Sequence, residues 1–142
     1  MEVINMKTTM NKVQRAYMVA KARVHEIESQ QEEIEKKYIA DHGITNPDGS
    51  TPEYVWCIDD EATFNKANSE LSALIISAGL EDGLNAARAA LKTAEDRLIA
   101  YGLSLAPAGV RATLERGVNQ NAVTRQKVLD ATFRLDVSTV SA

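Results

Sequence analysis

Residues 6–38 read MKTTMNKVQRAYMVAKARVHEIESQQEEIEKKY, and this stretch decides the fold class. Its apolar or nearly apolar residues recur at alternating intervals of four and three, from Met6 to Tyr38. This spacing is a heptad repeat, which places the side chains in one narrow stripe along a helix. No Gly or Pro interrupts the stretch. It therefore predicts a coiled-coil helix within residues 6–42, with a heptad part roughly 50 Å long.

The stripe needs a partner surface, because a long amphipathic helix cannot hide its apolar face alone. Two arrangements meet this need: shorter helices of the same chain laid along it in series, or a second copy of the chain. We predict a homo-oligomer, most simply a dimer, and a protein partner of unknown identity. The predicted oligomer or partner seam consists of Met10, Val13, Tyr17, Ala20, Val24, Ile27, Gln31, Ile34 and Tyr38.

Further helices follow from shorter apolar stripes. One stripe runs from Phe64 to Ala78 and the next from Leu80 to Tyr101, one residue out of register. The break predicts a turn near Gly79–Gly83 and a helical pair over residues 60–102, ended by Gly102. Two C-terminal helices are predicted over residues 106–136, separated at Gly117. The predicted fold is all-α, one helical domain over residues 1–142, with the long helix packed against shorter ones in a bundle.

The segment 43–59 has two interpretations. Gly43 is placed to end the first helix, and Asn-Pro-Asp-Gly at residues 46–49 is a tight-turn sequence. Tyr54–Ile58 could then pair with residues 43–45 as a minor β-hairpin near 43–58. The alternative is an ordered loop in which Tyr54 or Trp56 closes the end of the bundle.

Composition and charge narrow the class of protein. Hydrophobic residues make up 44% of the 142 and charged residues 25%, which is typical of a globular chain. Cys57 is the single cysteine, so no internal disulfide can form. The first ten residues lack the apolar core of a signal peptide, and no apolar run approaches the roughly 20 residues of a membrane span. These features predict a cytoplasmic protein with no membrane partner.

No catalytic, cofactor or metal motif stands out, so the sequence predicts a protein that is not an enzyme. Phosphate-loop, HExxH, GxSxG and CxxC patterns are absent from it. His25 shares a helix face with Glu28 and Glu32, but such a charged face is usually only solvated. Cys57 lies between Trp56 and Ile58 and is better interpreted as a packed thiol than as a nucleophile. We therefore predict no catalytic residue, no cofactor and no metal ligand.

Charge is uneven along the chain. Residues 1–103 hold 11 basic and 17 acidic residues, whereas residues 104–142 hold five basic and three acidic ones. Two short C-terminal helices joined at a glycine resemble a helix-turn-helix in outline. A nucleic-acid contact, if one exists, is predicted at Arg111, Arg116, Arg125, Lys127 and Arg134.

Three functions follow, in order of support. The first is a non-enzymatic helical interaction protein (an adaptor, an assembly factor or a protein inhibitor) acting through oligomerisation and protein–protein contacts. The second is a nucleic-acid-associated regulator that uses the basic C-terminal helices. The third is a helical bundle that binds a small molecule near Tyr54, Trp56 and Cys57.

Overall fold

The protein is built from helices. The computed structural model describes residues 12–134, and all regular structure in that range is helical. The elements are α1 (Lys12–Asp41), a 3₁₀ turn (Val55–Cys57), α2 (Glu61–Ser77), α3 (Leu80–Leu105), α4 (Ala108–Gln120) and α5 (Ala122–Arg134). The predicted all-α fold, in which a long N-terminal helix packs against shorter ones, is confirmed.

The chain divides into two compact units. Among the described residues, the terminal unit comprises residues 12–22 and 89–134, and the central unit comprises residues 23–88. The helices α1 and α3 each contribute residues to both. Each unit has its own apolar core, described separately below.

Two helix ends lie where the sequence predicts them. Gly43 has a φ of +57° and Gly79 a φ of +73°, a backbone conformation that side chains other than glycine rarely adopt. Gly43 N–H donates to the Ala40 carbonyl and Ile44 N–H to the Ile39 carbonyl, which closes the last turn of α1. Gly79 separates α2 from α3, as the register break predicts.

Residues 42–60 form an ordered loop and not a hairpin. The Gly49 N–H donates to the Asn46 carbonyl, so the predicted tight turn is present. The Val55 N–H, however, donates to Glu35 Oε2 of α1 at 2.7 Å. Asn46 spans the loop, because its Nδ2 donates to the Cys57 carbonyl and its Oδ1 accepts from the Asp59 N–H. The side chains of Glu35 and Asn46 thus form the hydrogen bonds with the loop backbone that a paired strand would form in a hairpin.

The core of the central unit gathers residues from α1, the loop and α2. Its buried members are Tyr38, Ile39, Val55, Ile58, Ala67 and Leu71. Val55 and Ile58 point inward together because side chains three residues apart coincide in a 3₁₀ turn. Asp60 caps α2, since its carboxylate accepts from the Thr63 N–H at 2.9 Å.

The core of the terminal unit joins the start of α1 to α3, α4 and α5. Its buried members are Tyr17, Ala94, Leu98, Ile99, Val118 and Leu129. The buried Gln14 donates from Nε2 to the Thr132 carbonyl at 3.2 Å. Asn121 caps α5 by accepting from the Val123 N–H at 2.8 Å.

The predicted helix ends at Gly102 and Gly117 are wrong. The helix α3 continues through Gly102 to Leu105, and α4 continues through Gly117 to Gln120. Both glycines provide clearance between helices. A Cβ atom at Gly102 would overlap the Thr132 side chain, and one at Gly117 would lie 2.8 Å from Thr124 Cγ2. Thr132 and Thr124 belong to α5, so the glycines allow α5 to pack closely.

Candidate functional site

The predicted seam is covered within each unit by the chain's own helices. In the terminal unit Tyr17 is buried, and Val13 and Ala20 pack against the same core. In the central unit Val24, Ile27 and Tyr38 are buried, Ile34 packs against the core and Gln31 is half-buried. Met10 lies outside the described residues. Helices of the same chain thus supply the cover that the stripe needs, which is the first of the two arrangements considered.

Tyr38 makes polar and ring contacts at the end of the seam. Its hydroxyl donates to Glu70 Oε1 at 2.7 Å, and the His42 ring stacks on it with centroids 4.0 Å apart. His42 Nδ1 also lies 2.9 Å from the Tyr38 carbonyl oxygen. Burial, reinforced by the hydrogen bond to the Glu70 carboxylate, raises the pKa of Tyr38 to about 12.

This raised pKa predicts a loss of stability in alkali. The folded chain holds the Tyr38 proton more tightly than the unfolded chain, in which the pKa is about 10. Its contribution is therefore complete below pH 10 and disappears as the pH rises towards 12. Urea unfolding between pH 10 and pH 12 should show that the free energy of unfolding falls in wild type and falls less in Tyr38→Phe. Tyr101→Phe is the control and should show the same fall in stability as wild type. An identical fall in all three proteins would contradict the role of Tyr38.

Beside Tyr38 lies an open groove of the central unit, about 580 Å³ in volume. We call it the α1–α2 groove. The residues that line it are Ile34, Lys37, Tyr38, Asp41, His42, Leu74, Ser77 and Ala78. Leu74 is 47% exposed although it belongs to the predicted stripe of α2. The groove has an apolar floor with one positive and one negative residue, which suits the apolar face of another helix.

The two charged residues of the α1–α2 groove take no part in the ion pairs of the central unit. Three ion pairs occur elsewhere: Arg23 with Glu26, Lys36 with Glu32, and Arg88 with Glu28. Lys37 and Asp41 are exposed and form no ion pair with another described residue. They are one helical turn apart with the lysine first, the weaker of the two possible orders for a helical pair.

The structure brings two of the predicted basic residues together. Arg111 and Arg125 line one pocket of the terminal unit, about 480 Å³ in volume, together with Asp96 and Glu115. Arg111 Nη2 donates to the Ala106 carbonyl at 2.9 Å, at the end of α3. Arg125 Nη2 donates to Asp96 Oδ1 at 2.7 Å, and this bond lowers the pKa of Asp96. Each guanidinium group thus makes a hydrogen bond within the unit, although Arg111 Nε is buried without a hydrogen-bond partner among the described residues.

The other predicted basic residues are not gathered at this pocket. Arg116 and Lys127 are exposed, and the Arg134 side chain lies outside the described part of the chain. Lys127 lines a separate groove of about 400 Å³ along α5. The four residues whose side chains are described therefore do not all line one site.

The aromatic loop does not close the bundle. Trp56 is 74% exposed and stacks on Tyr54, with ring centroids 6.0 Å apart. Val55 fills the buried position instead, and Cys57 is only partly buried. Val55 thus takes the buried position that was predicted for Tyr54 or Trp56, because the 3₁₀ turn directs Trp56 towards solvent. His25 is exposed as well.

Two further findings concern residues 12–134. No group of His, Cys, Asp and Glu side chains there is arranged to hold a metal ion. None of the described helices combines the length and apolar character needed to cross a membrane.

The α1–α2 groove was missed at the level of sequence. The sequence does carry a signal for it. The apolar stripe of α2 runs through Leu74 and Ala78 up to Gly79, and this stripe predicts that both side chains are buried.

The chain as a whole matches no protein-family model, no curated protein and no solved structure.

Proposed function

We propose that this chain is a non-enzymatic helical interaction protein, an adaptor, assembly factor or protein inhibitor, that works as a homo-oligomer in the cytoplasm. It acts by binding protein surfaces and performs no chemistry of its own. A dimer is the simplest assembly, and a further protein partner is part of the proposal.

One observation carries the proposal: the α1–α2 groove leaves apolar side chains accessible on a scaffold that already buries its seam. Leu74 has half of its surface in water, next to the apolar Ile34 and Ala78. An apolar groove with charged residues beside it is the form in which helical proteins commonly receive another helix. Another helix could therefore bind in the groove without any rearrangement of the fold.

Sedimentation equilibrium of the full chain tests the proposal. We expect a mass of twice the 15.5 kDa monomer at micromolar concentration. Only the monomer mass at every concentration would refute oligomerisation. The measurement needs no knowledge of the biological partner.

The second candidate function, nucleic-acid regulation, is favoured by the exposed Arg116 and Lys127 alone. It is opposed by the net charge of -4 and by the internal bonds of Arg111 and Arg125. Retention on a DNA column that falls steeply with salt would support it, whereas passage through the column at about 50 mM salt would remove it.

A further inference from the structure

We propose that the α1–α2 groove is the surface through which two copies of this chain meet, antiparallel about a twofold axis, with Lys37 of each copy opposite Asp41 of the other. This inference rests on the proposed function and specifies where the oligomer forms. It is argued from the shape of the groove, from its charges and from the symmetry of a dimer.

The apolar lining of the groove suits a contact between two identical patches. It includes Leu74, which is 47% exposed, together with the apolar Ile34 and the small Ala78. A twofold interface uses the same patch on both subunits, so a patch needs both a projection and a hollow. Leu74 of one copy can enter the groove of the second, and symmetry repeats the contact.

The charges of the groove favour a second copy of the chain as its occupant. Lys37 and Asp41 are one turn apart on α1 and form no ion pair with another described residue. When two such helices cross antiparallel between these positions, each lysine faces the other copy's aspartate. Two ion pairs then form at the interface. A different protein would need its own matching pair of charges, whereas a second copy has them by symmetry.

Net charge does not oppose this contact. Each chain carries -4, but Lys37 and Asp41 balance each other in the groove. Salt screens the remaining repulsion over about 8–10 Å at physiological ionic strength. The groove is therefore a neutral patch through which two acidic chains can approach.

The apolar part of the inference is tested by Leu74→Glu against a matched control, Ile76→Glu. Both residues are on the last turns of α2 and both are exposed, at 47% and 58%, but only Leu74 lines the groove. By sedimentation equilibrium, L74E should weaken dimerisation at least about tenfold, and I76E should leave it unchanged. Circular dichroism should show the same helical content in both variants, because neither side chain is buried.

The charged part is tested by Lys37→Asp and Asp41→Lys. Each variant alone places like charges opposite each other, so each should dimerise about tenfold more weakly than wild type. An equimolar mixture of the two should associate again, since an acidic groove then meets a basic one. The double variant K37D/D41K should also dimerise, because the exchanged charges still face their opposites.

The outcomes separate the two proposals. A wild-type chain that stays monomeric overturns both the proposed function and this inference. A wild-type dimer that L74E leaves intact overturns the inference alone, as the dimer then forms elsewhere. Loss of the dimer in L74E without recovery in the K37D and D41K mixture overturns the antiparallel pairing, because two copies then meet at the groove in another orientation.

Discussion

Replacing Ile27 with Asp is expected to unfold the central unit. Ile27 is 1% exposed, and a methyl group at Gly83 would lie only 3.7 Å from its Cδ1 atom, so α3 packs directly over it. A carboxylate there would be buried without a cationic partner. Such a change costs about 4 kcal/mol or more, a large part of the 5–15 kcal/mol that stabilises a typical domain.

The expected measurement is loss of far-ultraviolet helical signal in Ile27→Asp at 25 °C, or a urea midpoint far below that of wild type. Val19→Asp is the control on the same helix, because Val19 is exposed. It should change stability by no more than about 0.5 kcal/mol. Equal stability of the two variants would mean that the seam of α1 is not buried.

Replacing Gly102 with Ala should destabilise the terminal unit by about 2–3 kcal/mol. In most helices this change is favourable by about 0.5–1 kcal/mol, because glycine is the more flexible residue. Here the new Cβ would overlap Thr132 on α5, whose Cβ and Cγ2 lie within 3.1 and 3.2 Å of that position. Rotating the threonine moves Oγ1 but breaks its hydrogen bond to the Val128 carbonyl, and Thr132 Cβ stays at 3.1 Å, so α5 must also shift by a few tenths of an ångström.

Gly109→Ala provides the matched control for Gly102→Ala. Gly109 is also helical, in α4, and a Cβ there meets no described atom within 4 Å. Urea unfolding should show G109A as stable as wild type or slightly more stable. Adding Thr132→Ala to G102A should recover part of the loss, because it removes two of the three crowding atoms. A stabilised G102A would contradict the close packing of α3 and α5.

The elements that local chemistry decides could be predicted from the sequence. The heptad stripe gives α1, Gly43 ends it, and the register break near Gly79 separates α2 from α3. Each of these signals acts through neighbouring residues or through a periodicity that one helix carries by itself. They were therefore visible before any tertiary contact was known.

The elements that depend on tertiary packing could not be predicted. Gly102 resembles a helix stop locally, but α5 uses it as space for Thr132. The 43–58 segment has the turn of a hairpin, but Glu35 of α1 takes the Val55 N–H instead. Leu74 belongs to an apolar stripe, yet no described helix of the chain covers it. In each case a residue distant in sequence decides the outcome, and the local pattern carries no trace of it.

We infer that each chain covers its own α1 seam and leaves the α1–α2 groove for association. Thermal unfolding of Leu74→Glu, followed by circular dichroism from about 1 to about 100 μM, tests it most directly. We expect a monomer with wild-type helical content and a midpoint that does not change with concentration. Loss of helix on dilution would contradict the claim, because the seam would then depend on a second copy for its cover.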